Sequence, residues 1–256
     1  MAPQTPQPSE RPGGAVTLLS LRLAPGGPDT IRVGPKQGLD RIERSYYYLA
    51  MRKGEQTREA ILVHALRLAT KVGFEGLTIG RLADDLELSK SGLFAHFKSK
   101  ENLQVQVLEM ASRRFIDEVI KPALGAPRGE RRVRALFERW MQWEASPSLP
   151  GGCPFMAAST ELDDRPGPAR DFVVKSQRDW LETLANTART AIQEGDFDPD
   201  LDCEQFAHDL NGIALSYSQA SRLLKDPKAR ARADRAFEAL VQSARSTRTT
   251  AGARRR

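Results

Sequence analysis

Cysteine and histidine are scarce in this chain, with two of the first and three of the second in 256 residues. Cys153 stands in Gly151-Gly152-Cys153-Pro154, and Cys203 precedes His208 by five positions, while His64 and His96 lie far off. Neither a disulfide framework nor a metal-ligand spacing results, so no metal is expected. The chain also lacks the run of ~18 apolar residues that a membrane helix needs. The stretch from Val16 to Leu23 is short, is interrupted by Ser20 and Arg22, and does not have the order of a signal peptide. A cytoplasmic location without a membrane partner is expected. No glycine loop that would cradle phosphate, no nucleophile set beside a base and no cofactor motif is present, so neither catalysis nor a cofactor is expected. Glu161, Asp163 and Asp164 lie beside Arg165 and Arg170 and read as local ion pairing rather than acid–base machinery.

What is present is the composition of an ordinary globular protein, 40% hydrophobic and 28% charged. The net charge of +6 is unevenly spread: +2 over residues 1–50, +2 over 51–103, −5 over 104–224 and +7 over 225–256. Much of the excess therefore sits near Arg254, Arg255 and Arg256, and residues 247–256 are expected to form a basic disordered tail. Prolines and glycines from Pro3 to Pro28 break any periodic pattern, so residues 1–50 are expected to be a disordered extension. Net charge alone makes no case for nucleic-acid binding here.

Residue spacing does. Ile61, Ala65, Leu68 and Val72 recur at intervals of three and four, predicting an amphipathic helix from about Thr57 to Val72 that Gly73 stops. Thr78 is a good N-cap for a second, short helix whose inner face is Ile79, Leu82, Ala83 and Leu86. Glu87 and Leu88 make a turn, and Ser89 can cap a third helix that Leu93, Phe94 and Phe97 dock on the first two. Lys90, Ser91, Gly92, Ala95 and His96 are then left outward, small or donor-bearing groups that fit a major groove. Ser99 caps a fourth helix, where first-turn amides and Lys98 and Lys100 suit a phosphate.

This block, Thr78-Ile79, Leu82-Ala83, Leu88-Ser89-Lys90, Leu93-Phe94, His96-Phe97, Ser99-Lys100-Glu101 and Leu103, resembles the tetracycline-repressor (TetR) family of bacterial transcription regulators. The resemblance implies a helix-turn-helix DNA-binding domain over 51–103, a recognition helix starting at Ser89 or Lys90, and a backbone contact from Lys100. The DNA-binding set is therefore Arg52, Lys53, Thr78, Ser89, Lys90, Ser91, Gly92, Phe94, His96 and Lys100. Phe94 and Gly92 stand where the family usually carries a tyrosine and a threonine or serine, which removes two hydroxyls. Met51 stands where family members commonly begin, so translation from Met51 is one expectation. A basic arm, with Arg52 and Lys53 reaching the minor groove or backbone, is the other.

The remainder reads as helices, giving an all-α chain of about nine. The fourth is expected from Lys100 to Ile120, ended by Pro122, and others from about Arg128 to Ala145, Pro154 to Asp163, Pro168 to Gly195, Asp202 onward, and Pro227 to Ala244. Residues 104–246 are implied to bind a small-molecule effector and to dimerise. Phe115, Phe137, Trp140, Met141, Phe155, Phe172 and Trp180 gather where the family binds ligands, although each also fits plain core. Phe206, Gly212, Ile213, Ser216, Tyr217 and Ala220, with Phe237 and Leu240, are the implied homodimer face. The expected function is that of a dimeric repressor of a pseudo-palindromic double-stranded operator, released by an unknown effector. The alternatives are an effector-independent activator or architectural DNA binder, and an α-helical enzyme or partner-binding module.

Overall fold

The structure, a computed structural model, describes the backbone of residues 41–245 and the side chains of residues 57–245. The expectations for residues 1–40, for the tail 247–256 and for the side chains of Arg52 and Lys53 lie outside the described residues. Within them nine helices form the fold, with one isolated antiparallel bridge between Phe197 and Arg245 and no strand.

Helix α1 spans Arg41–Gly76, so it begins well before Thr57, and residues 41–50 are helical rather than part of a disordered extension. Its regular course breaks at Gly73, where φ is 77° and ψ is 167°, values a side chain would strain against. α2, Ile79–Asp85, and α3, Lys90–Phe97, follow, and α4 starts as Lys100–Phe115. Each of these three has the predicted cap: the hydroxyls of Thr78, Ser89 and Ser99 accept the amide protons of Arg81, Gly92 and Asn102.

Pro122 does not end α4. The helix widens into a π turn over Ile116–Ile120, in which the Lys121 amide bonds the Ile116 carbonyl, and runs on through Lys121–Leu124. A proline withholds its own amide and crowds the carbonyl four residues back, and a π turn just ahead of it accommodates both. α5 is Glu130–Glu144, α6 is Pro154–Leu162, α7 is Pro168–Gln193, α8 is Cys203–Ser218 continued by a π turn over Gln219–Leu223, and α9 is Ala229–Ala244.

Helices α1 to α3 and the start of α4 make a small head around Leu66, Phe74, Leu77, Leu82, Leu93, Phe97 and Leu103, none more than 1% exposed. Burying a side chain of this size stabilises the fold by ~1.5–3 kcal/mol. The same apolar cluster continues without a break into the body formed by α4 to α9. Polar bonds also cross that boundary. Gln104 donates to the Phe74 carbonyl at 2.7 Å, and the Gly151 amide donates to the Thr70 hydroxyl at 3.0 Å. A Cβ on Gly151 would lie 1.4 Å from the Thr70 carbonyl oxygen, so only glycine lets the two backbones meet.

Phe206 and Phe237 were expected at a dimer face and are instead core, at 2% and 3% exposed. Phe206 packs on Phe197, and Phe237 stacks on Phe137 with ring centroids 4.0 Å apart.

Candidate nucleic-acid interface and ligand cavity

The exposed edge of α3 carries Lys90, Ser91, Phe94 and Ala95, whereas Gly92, Leu93 and Phe97 are buried and His96 is half-buried. At 100° per residue, positions 90, 91, 94 and 95 share one side of a helix and 92, 93, 96 and 97 the other. Three sequence expectations are corrected by that projection: Gly92 and His96 lie on the inner side of the helix, and Phe94, 57% exposed, does not dock on the head. Phe94 keeps its place in the candidate DNA-binding set as a large apolar group beside Lys90. No acid of α3 stands on this edge, and the nearest, Asp84 of α2, lies 3.8 Å from the Lys90 ammonium with both side chains exposed, a weak pairing. The turn into α3 is closed by Glu87 at φ 54° and the turn out of it by Lys98 at φ 63°.

Ser89, Ser99 and Thr78 spend their hydroxyls as helix caps, so their structural role is the one observed. Lys100 is half-buried and bonds Glu75 at 3.0 Å, and Arg165 joins the same carboxylate at 2.6 Å. The Lys100 bond, with Arg165 assisting, holds the Glu75 carboxyl below its ordinary range. Glu161 of α6 accepts the Glu75 amide at 2.9 Å and fills the space beside Gly73, where a Cβ would meet its carboxylate at 2.4 Å. α6 thereby touches α1 at its kink.

The other side of α6 lines a cavity of about 570 Å³, open to solvent at its rim, together with α4, α5, α7 and α8. Phe115, Trp140, Phe155 and Trp180 are in its wall, as expected. Phe137, Met141 and Phe172 are not: Phe137 is taken up by Phe237, Met141 is fully buried, and Phe172 packs on the core. The rings of the wall meet steeply, Phe115 on Trp180 at 85° and Trp140 on Trp180 at 76°. Ser112, Ser159, Thr160, Asp163, Ser176, Gln177, Asp179, Thr183 and Asn211 also line it, and none of these was anticipated. The signal was available, since Ser176, Asp179, Trp180 and Thr183 recur at helical spacing, but polar stripes are ordinarily read as solvent faces.

Cys153 reaches the same cavity and is buried, which pushes its thiol up to about 12. Behind it, burial raises the Glu144 carboxyl to about 7. Ser218 and Cys153 are its polar neighbours, yet neither carboxylate oxygen has a hydrogen-bond partner.

A second, shallower groove of about 640 Å³ runs between α8 and α9. Gly212, Ile213, Ser216, Tyr217, Ala220 and Leu240 line it, which are the dimer candidates left after Phe206 and Phe237 are removed. Nothing stands within 4 Å of a Cβ built on Gly212, so the ridge is open to close approach.

The family described as "Bacterial regulatory proteins, tetR family" matches residues 61–107, and "Tetracyclin repressor-like, C-terminal domain" matches residues 129–237. No curated protein matches the chain. Among solved structures, a TetR transcriptional regulator from Chloroflexus aurantiacus J-10-FL is 25% identical with a TM-score of 0.67, covering 75% of this chain and 95% of that one. AibR in complex with isovaleryl coenzyme A and operator DNA is 21% identical with a TM-score of 0.54, covering 63% and 85%. A ketosteroid transcriptional regulator of Mycobacterium tuberculosis is 16% identical with a TM-score of 0.57, covering 74% and 95%.

Proposed function

The chain belongs to the tetracycline-repressor (TetR) family of transcription regulators, and from that membership we propose that it is a homodimeric repressor released from its operator by a small molecule. The observation that carries this reading is the pairing, in one continuous core, of an uncovered α3 edge with an aromatic-lined cavity that opens to solvent. AibR, which shares the fold, is seen with a small molecule and operator DNA together, which supports an effector-responsive reading. The protein acts in the cytoplasm and by binding, not by turnover. No described helix is long and apolar enough to cross a membrane.

Two heads held by the α8–α9 groove insert their α3 edges into successive major grooves of a pseudo-palindromic site. Lys90, Ser91, Phe94 and Ala95 meet bases or sugar-phosphate there, and Lys100 exchanges Glu75 for a phosphate. A ligand among α4, α6 and α7 shifts α6, whose Glu161 bears on the α1 kink, and α4, which carries Lys100. Such a ligand releases DNA only by binding the two head spacings unequally.

Gel-shift titration with the promoter beside the coding sequence tests this. Wild-type protein retains the fragment, and a Lys90→Ala, Phe94→Ala double variant loses about tenfold or more in affinity at unchanged melting temperature. Retention equal to wild type would overturn the reading.

A further inference from the structure

The lining of the α4–α8 cavity has one sign of charge. Its hydroxyls and amides can donate or accept, and its only formally charged residues are Asp163 and Asp179, with no lysine, arginine or histidine among them. That matches the net charge of −5 over residues 104–224, from which the whole lining is drawn. The two acids differ in how well they are answered. Asp179 is paired by Lys175 one helical turn away. Asp163 receives only the Asp164 amide, at 2.9 Å. Both arginines nearby are otherwise engaged: Arg165 bonds Glu75, and Arg170 donates to the main-chain carbonyl of Asp163 and not to its carboxylate. Around them Phe115, Trp140, Phe155 and Trp180 build the wall, their rings packed edge to face on one another at 72–85°.

Aromatic faces carry negative electrostatic potential and attract cations, more strongly as the site excludes water. An anion would find no cation in this wall and would face one unanswered carboxylate, an arrangement that discriminates by repulsion. Resting on the reading of this cavity as the effector site, we infer that the effector is a bulky aromatic or aliphatic organic cation, its charge held by the aromatic wall with Asp163 at the rim. The cavity volume of about 570 Å³ lies within the range of ~300–1,000 Å³ typical for sites of drug-sized molecules.

Tetraphenylphosphonium and tetraphenylborate have the same shape and opposite charge, which makes them the probes of choice with the full-length protein. Tryptophan fluorescence is the readout, because Trp140 and Trp180 stand in the wall. The phosphonium is expected to quench at a concentration about tenfold or more below that needed for the borate. Asp163→Asn, at an exposed position, weakens the phosphonium about fivefold and does not weaken the borate. Asp179→Asn changes either by no more than about twofold, since Lys175 already offsets that charge. Equal or tighter binding of the borate, or an unchanged phosphonium affinity in Asp163→Asn, overturns the assignment of ligand class and leaves the cavity reading standing. If neither probe quenches or raises the melting temperature, the cavity itself is not the effector site and both readings fall.

Discussion

The head and the body solve the same problem, satisfying polar groups around an apolar core, in different ways. In the head, three hydroxyls one residue before α2, α3 and α4 accept three free amides within the same few residues of chain. In the body, Glu144 and the Trp143 Nε1 are buried with no partner, and polar side chains of α6 and α7 turn into a cavity. The head is built to hold one rigid shape and present a face to solvent. The body keeps unmet polarity inside, where an unmade hydrogen bond costs ~1–3 kcal/mol.

That contrast can be broken first at two adjacent residues of α3. Leu93, 1% exposed, is head core, and Leu93→Ala should cost ~2–5 kcal/mol in denaturant unfolding. Phe94→Ala should cost no more than ~0.5 kcal/mol yet weaken operator binding, because its ring is spread over solvent. Equal destabilisation by the two would show that the helix sits rotated from the orientation described.

The body's side of the contrast is sharpened at Glu144. Folded, its carboxyl holds a proton up to about 7, against an ordinary value of 4.5. The stability this provides is whole below 4.5, declines as the unfolded chain alone loses the proton, and is gone above about pH 7. Glu144→Gln should therefore melt like wild type near pH 4 and be more stable near pH 8 by ~3 kcal/mol at most. Thermal melts across that range check it, and a variant no more stable at pH 8 contradicts the burial cost.

The head was legible because its determinants are local. Caps at Thr78, Ser89 and Ser99 act within one turn of their own residues and stand as read, while Gly73 kinks α1, which runs on to Gly76 instead of stopping. Phe94 was misplaced by counting it as apolar without projecting it, since a residue one position from Leu93 lies 100° around the helix. In the body, the helices were legible but not their neighbours. Phe137 and Phe237 are a hundred residues apart, and their stacking removes one from the cavity and the other from the dimer groove at once. Asp163 read as part of a local ion-pairing cluster until α6 and α7 are placed face to face around the cavity it borders. Pro122 was read as a stop because a π turn has no sequence mark comparable to a cap.

The claim on which the rest depends is that paired α3 edges enter major grooves. Methylation interference at guanine N7, with hydroxyl-radical footprinting of the operator, reads this directly. Two clusters of N7 interference on one face of the duplex, centred about one helical turn or a multiple of it apart, are predicted. Interference confined to the minor groove, or a single cluster at saturating protein, would contradict it.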